Sequence, residues 1–447
     1  MQSSEELGLD WSKTFLIGLG FFTTGISWAL YNSYVPLWLN SFIPDRVIVG
    51  AIMGLDNLAM IFMEPIVGSI SDRTRTRWGR RIPFLVIGVP ISAFFLTLLP
   101  LVKGVLLILM AAIICFLLMM AFYRAPVVAL MPDVIPSKQR SKANGVINLM
   151  GGLGAVYAFL FGSMLYSIDP LVAFGSTALI MIVALILLVI FVKEPEEVVL
   201  RETTEEIKVP KVSVISSIKE VLTDKDKSCL FVLIAIFFWF LGYNALETWF
   251  TSWATTIVPH IMNIAEPGTE AAIEDAEAAA SLMLTIFALV FVVFAIPAGY
   301  VGQKIGRANT IRIGLPVLLF FIIGTMLIGQ FNVLGLSDQL QYYLTMIILG
   351  CGGIGWALIN INSIVIVWEI ATDEKLGSYT GLYYLFSSSA AVAGPAIIGL
   401  IFDLFAAGTF NLLFPVSSVC FVIAFIMMFG VKSGEVKTVS PSEPILD

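Results

Sequence analysis

The sequence predicts an all-α membrane protein with twelve transmembrane helices in two pseudo-symmetric six-helix bundles, both termini cytoplasmic. Three observations carry that prediction. Of 447 residues, 58% are hydrophobic and 13% charged, with mean hydropathy +0.95, whereas soluble domains carry about 25% charged residues. The apolar residues gather into runs of the ~20 residues that cross a hydrocarbon core. The basic residues then fall almost entirely on one side of the resulting topology.

The first six runs lie near 14–40, 47–71, 83–102, 105–131, 143–166 and 171–192. Six more lie near 228–257, 280–302, 312–330, 341–370, 378–402 and 411–431. Each is expected to be helical, because peptide groups in lipid must bond within their own segment. The organisation is therefore an amino-terminal bundle over 1–192, a cytoplasmic linker over 193–227 and a carboxy-terminal bundle over 228–447. Residues 1–13 are polar and slightly acidic, without a basic-then-apolar leader pattern, so the first span is expected to remain in the mature chain.

The external loops hold only Arg46 and Lys103, and Arg124 lies within a span, which leaves 22 of the 25 basic residues cytoplasmic. The linker, with seven basic and nine acidic residues, is expected to be partly helical. The external stretch 259–279 has five acidic residues and no Lys or Arg; its role is not legible.

The net charge of −7 is spread over loops and implies no nucleic-acid partner. Cys115, Cys229, Cys351 and Cys420 lie in or beside apolar runs without metal-ligand spacing and read as packing residues. No cofactor or metal site is expected. Neither is an enzyme, since no nucleophile, metal cluster or phosphate-cradling loop is evident and the lone His260 lies at an external helix end. Gly151, Gly152 and Gly154 suit close helix approach, and Trp38, Trp249 and Trp253 suit an aromatic belt at the outer interface. The expected surroundings are a cell membrane crossed many times, the inner one in a bacterium. No obligatory protein partner is implied.

The halves resemble each other. Trp28, Tyr31 and Asn32 in the first span recur as Phe240, Tyr243 and Asn244 in the seventh. Asp72 and Arg73 before Gly79, Arg80 and Arg81 match Gln303 and Lys304 before Gly306 and Arg307. Arg124 stands opposite Asn360, and Asp133 opposite Glu369. Parallel six-helix repeats with a site at their interface form a transporter architecture, because two similar bundles can rock against each other.

The most specific signal runs from Gly68 to Phe84 as GSISDRTRTRWGRRIPF. It resembles the loop between the second and third helices of the major facilitator superfamily, in the extended form of the sucrose/proton symporters and the glycoside-pentoside-hexuronide:cation symporters. RAPVVALMPD from Arg124 to Asp133, followed by RSKAN from Arg140 to Asn144, is similar to the fourth-to-fifth helix region of the same symporters. The topology matches throughout; the specific motifs cover about residues 56 to 155.

The resemblance implies that the arginine-rich loop pairs with an acidic residue at the end of a neighbouring helix, the position held by Asp133. Asp72, Arg73, Arg80, Arg81 and Asp133 are therefore candidates for a cytoplasmic gate, since guanidinium groups favour bidentate carboxylate contacts. A role confined to fixing topology is the alternative.

Charges inside the spans are the best guide to coupling, each costing ~2.5–3.5 kcal/mol at mid-helix. Asp56, Glu64, Arg124 and Glu247 are the candidates. Depth along the helices favours a Glu64–Arg124 pair and leaves Asp56 as the proton carrier. The family points elsewhere: sodium-coupled melibiose members use acidic residues on the second and fourth helices, and Asp56 resembles the first of these. Here Arg124 occupies the fourth-helix region and Met60 follows Asp56, so a proton is favoured over sodium, which stays open. A structural ion pair is the remaining alternative.

A sugar needs flat aromatic faces together with amides or carboxylates. Tyr31, Asn32, Tyr243, Asn244 and Glu247 near the middle of the first and seventh spans offer both, with Trp28, Asn57, Asn148, Asn360, Asn362 and Tyr383 behind them. The expected activity is proton-coupled symport of a sugar or glycoside by alternating access. A passive facilitator, a sodium-coupled symporter and an exporter of another small solute remain alternatives.

Overall fold

The computed structural model describes residues 10–135, 140–194, 214–261, 270–371, 376–405 and 409–432. Some side chains inside its helices, chiefly near their ends and in α3, those of Asp56, Asp72 and His260 among them, lie outside the described set, and so do the expectations placed on them. Among the described residues there is no strand, only an isolated bridge between Thr76 and Gly79.

Helix α1 spans Trp11–Asn40, and the second span breaks at Gly54 into α2 (Arg46–Met53) and α3 (Leu55–Arg73). Then come α4 (Ile82–Val102), α5 (Leu106–Val134), α6 (Arg140–Tyr157), which passes through a π-turn at Ala158–Gly162 into α7 (Ser163–Tyr166), and α8 (Pro170–Phe191). A short α9 (Val214–Thr223) lies in the expected linker. The second half comprises α10 (Ser228–Ile261), α11 (Glu270–Ile305), α12 (Arg307–Thr325), α13 (Asp338–Ile370), α14 (Leu376–Phe405) and α15 (Leu413–Met428).

Eleven of these stretches are long and apolar enough to cross a membrane. The last, α15, has 16 residues, roughly 24 Å at 1.5 Å per residue, because the chain turns at 410–412 and again at 429–430. Aspartates start several helices: the Asp10, Asp45 and Asp169 carboxylates accept backbone N–H groups from Lys13, Ile48 and Leu171 at 3.0, 3.2 and 2.6 Å.

Large apolar side chains face outward, Phe62, Leu107, Ile296 and Phe320 among them, as a lipid solvent requires. The interior is held by close backbone approach. A Cβ at Gly25 would strike the Gly151 carbonyl, and one at Gly154 would lie 2.5 Å from the Phe22 carbonyl oxygen, so α1 and α6 meet through glycines. In the second half, a Cβ at Gly353 would lie 2.5 Å from the Phe287 carbonyl oxygen and one at Gly355 2.5 Å from the Leu318 nitrogen.

Across the halves, Gly50 abuts the Pro395 carbonyl, Gly54 the Val392 carbonyl and Gly399 the Arg46 carbonyl. These contacts join α2 to α14 toward the external ends. The three tryptophans expected in an outer belt are a correction. Trp38 is 7%, Trp249 0% and Trp253 1% exposed, because the Trp38 indole bonds Tyr166, the Trp249 indole bonds the Pro395 carbonyl, and Trp253 packs edge-on against Phe414. The polar tips of Trp38 and Trp249 find protein partners here in place of headgroups.

Candidate functional site

The charged loop before α4 is built around a left-handed glycine. Gly79 has φ +107°, and its missing Cβ leaves room for the Glu194 carboxylate. That carboxylate accepts three successive amides at the start of α4: Arg80 N–H at 2.9 Å, Arg81 N–H at 2.8 Å and Ile82 N–H at 3.1 Å. Orphan donors at a helix start make such an anion site. The Arg80 and Arg81 side chains turn to Asp133 at the end of α5, each Nε donating to Oδ2 at 2.9 Å, and Arg81 also bonds Ser71. Arg73 is exposed. Among the described bonds, Arg80, Arg81 and Asp133 of the expected cytoplasmic gate thus join the ends of α3, α4 and α5.

The second half repeats the plan with changes. Gly306 has φ +93°, and Arg307 donates to Glu369 at 3.2 Å, to the Asn362 side-chain oxygen at 2.9 Å and to the Gly299 carbonyl at 3.1 Å. Where Glu194 binds amides, the second half uses a cation: Arg312 donates to the carbonyls of Met428 and Val431 at the end of α15. Asn362, expected near cargo, instead belongs to this arginine cluster and donates to the Ala298 and Leu358 carbonyls.

Between the halves lies a cavity of about 230 Å³. Trp28, Tyr243, Glu247, Phe287 and Trp356 line it. The Tyr243 and Trp356 rings stack at 3.8 Å and 2°, and Trp28 stands edge-on to Tyr31 and Phe116. Asn32 of the first half donates from Nδ2 to Oε1 of Glu247 in the second, at 3.3 Å. Among the described residues, no Lys, Arg or His forms an ion pair with Glu247. A carboxylate at this depth without a counter-ion is costly when ionised.

The other expected residues divide. Arg124 bonds Glu64 at 2.6 Å and touches the Met60 sulfur at 2.8 Å, beside the second span as depth predicts. Tyr31 is fully buried against Trp28 and Phe116, off the cavity wall: its face of α1 packs into its own bundle. Asn244 turns back to the Phe240 carbonyl at 2.7 Å, and Tyr383 meets the Ser363 hydroxyl at 3.0 Å. Asn57 and Asn360 are half-buried, Asn148 is exposed, and none of the three lines the cavity.

Sequence reasoning missed Trp356, whose stacking partner lies on another span, and Glu194, hidden at the edge of an apparent linker. It also missed two external contacts between halves. The Tyr166 hydroxyl donates to Glu277 at 2.6 Å, and Asp403 accepts the Arg46 and Val47 amides at 2.8 and 3.3 Å together with the Arg46 guanidinium at 3.3 Å. These bonds hold the external ends together.

The sequence model of the Major Facilitator Superfamily matches residues 17–273 and 258–445. The chain is 28% identical over 142 residues to the uncharacterized protein YqgE of Bacillus subtilis, covering 31% of each. It is 41% identical over 64 residues to a lactose permease of Lactobacillus helveticus, covering 14% of this chain and 10% of the relative. The aligned part thus spans less than a third of these curated relatives. Among solved structures, the nucleoside transporter NupG superposes with TM-score 0.66 at 14% identity, covering 94% of this chain and 99% of that one. A D-xylose-proton symporter superposes with TM-score 0.63 at 16% identity, covering 94% and 97%. At such identities the likeness concerns the fold.

Proposed function

The chain belongs to the Major Facilitator Superfamily, and from that premise we propose that it is a secondary active transporter coupling proton entry to uptake of a sugar or glycoside. One observation carries the reading: Glu247, on the wall of the central cavity, is bonded across the halves to Asn32 and has no ion-pair partner among the described residues. A proton removes the charge that makes this position costly. The neutral acid can then donate to a cargo hydroxyl, while Tyr243 and Trp356 offer the flat faces that suit sugar C–H surfaces. Support also comes from relatives and neighbours named as a lactose permease, an uncharacterized symporter of Synechocystis and a D-xylose-proton symporter.

In the proposed cycle, Glu247 is protonated and cargo binds while the external ends are apart. The Arg46–Asp403 and Tyr166–Glu277 bonds then form, and release follows on the cytoplasmic side. Asp56 is kept as a second proton carrier.

The test is uptake by purified protein in liposomes under an imposed pH gradient, with a sodium gradient as the parallel arm. Glu247→Gln is expected to retain downhill exchange of cargo and to lose accumulation, its inside-to-outside ratio falling to about one, because a neutral amide leaves the cycle nothing to titrate. Undiminished accumulation in this variant removes Glu247 from coupling, and the same result with Asp56→Asn removes Asp56. Accumulation driven by sodium alone replaces the proton.

A further inference from the structure

We infer that Glu277, in the external seam, is a further proton-binding site: the external side seals when this carboxylate takes up a proton from outside and loosens when it gives the proton up. The inference concerns which way the protein faces and stands apart from the coupling assigned to Glu247.

Glu277 lies on α11 and is 5% exposed, covered by the first half. Its cover is built by the π-turn at Ala158–Gly162, whose extra residue changes the face that α7 presents to α11. That face carries Tyr166. Its ring stacks on Tyr34 of α1 at 3.8 Å and 10°, and its oxygen accepts the Trp38 indole N–H at 3.2 Å. The Tyr166 hydroxyl then donates to Glu277 Oε2 at 2.6 Å. Phe174 packs against both Tyr34 and Trp38. A carboxylate bathed by external water when the halves part is thus walled in by rings when they meet.

Two further hydroxyls report on its charge. Tyr34 and Ser281, one from each half and both 0% exposed, face each other beside Glu277. Neither makes a hydrogen bond of ordinary geometry, to Glu277 or to anything else described. An ionised carboxylate has room for about four donors and would draw both hydroxyls to itself. The neutral acid needs fewer donors and carries one of its own, which is the state these positions fit.

The neighbouring titratable groups are otherwise engaged or distant. Tyr342 of α13 gives its hydroxyl to the Ala279 carbonyl, and Asp275 on α11 itself is exposed. On α12, Arg307 and Arg312 bond partners at the cytoplasmic end, and α10 brings Glu247 at the cavity and His260, whose side chain lies outside the described residues. The sign follows from linkage. Parting the halves exposes Glu277 to water, where a carboxylate is ionised at neutral pH. Closure binds the proton more tightly, so closure strengthens as external pH falls, by at most about ten-fold per pH unit for one proton.

The experiment follows an external thiol reagent reacting with the full-length Phe250→Cys protein between pH 5.5 and 8, the contribution of the native cysteines being subtracted. The reference is the same protein with Glu277→Gln, whose side chain stays neutral and still accepts the Tyr166 bond. Dividing the two rates cancels the titration of the thiol itself. The ratio is expected to be about one at pH 5.5 and about five or more at pH 8, within the limit for one proton. A ratio that is flat with pH, or that grows on acidification, overturns the inference. If Glu277→Gln does not fold, Glu277→Met, neutral and of similar length, serves as the reference. The pH dependence is expected to persist in His260→Gln and in Glu247→Gln; its loss in either assigns the titration to that residue and overturns the inference. Accumulation of cargo under a pH gradient is expected to survive in Glu277→Gln, so this inference and the coupling reading fail separately. Its loss would make Glu277 a coupling acid, which also overturns the inference.

Discussion

Gly79 shows what one residue contributes. Its φ of +107° is a conformation that L side chains rarely adopt, and a methyl group there would strike the Glu194 carboxylate. Gly79→Ala is expected to destabilise the protein by about 1–3 kcal/mol, the range for backbone strain at such positions, as a lowered thermal midpoint in detergent. An unchanged midpoint would mean that the loop relaxes without losing the three amide bonds to Glu194. At this scale the sequence was partly legible. Arg80, Arg81 and Asp133 stood out because charges beside long apolar runs are few and must find partners. Glu194 did not stand out, since it sits among other linker charges and its partners are backbone amides, which no side-chain pattern reveals. Tyr31 was misplaced because helical spacing shows that a residue faces inward and not whether inward means its own bundle or the cavity.

At the scale of elements, the first-half contact between α1 and α6 is closest where glycines pair, with Phe22 packed edge-on against Tyr157 alongside. Gly25→Leu is expected to splay the two helices, since its Cβ would already overlap the Gly151 carbonyl. The expected outcome is loss of a monodisperse peak on size exclusion, or a thermal midpoint lowered by several degrees; a wild-type profile for both would show that the pair has slack. All twelve spans were readable from hydropathy, their ends to within a few residues, except that Glu270–Ile305 begins well before the expected start at 280. The early start has a physical reason: hydropathy marks where a helix can enter lipid, and its fall over 270–279 does not by itself oppose helix there. The break of the second span at Gly54 was not legible either, because Gly54 is tolerated in a helix and its role is set by the Val392 carbonyl opposite.

For the whole molecule, the described hydrogen bonds between halves lie at the centre and toward the external ends: Asn32 to Glu247, Tyr166 to Glu277, and Arg46 and Val47 to Asp403. The arrangement is one with its external side closed. Asp403→Asn removes the charge from a partly exposed pair, a contact worth roughly 1 kcal/mol. That is about a five-fold change in an equilibrium constant. The expected readout is a correspondingly faster reaction of an external thiol reagent with a cysteine placed at Phe250 on the cavity wall; a slower reaction would mean that the pair holds the protein open instead. The repeat was legible from the order of paired motifs. The seam was not, because Glu277 and Asp403 look like ordinary loop-flanking acids until the two halves are set side by side.

The bare-backbone contact of α2 against α14 bears on speed. Where Gly50, Gly54 and Gly399 rest on carbonyls, no interdigitated side chains must change rotamer for the surfaces to part. At those three glycines the contact gives like a smooth bearing, so resistance to parting is left to the buried Val49, Ile52 and Met53 side chains of α2 and to the polar bonds nearby.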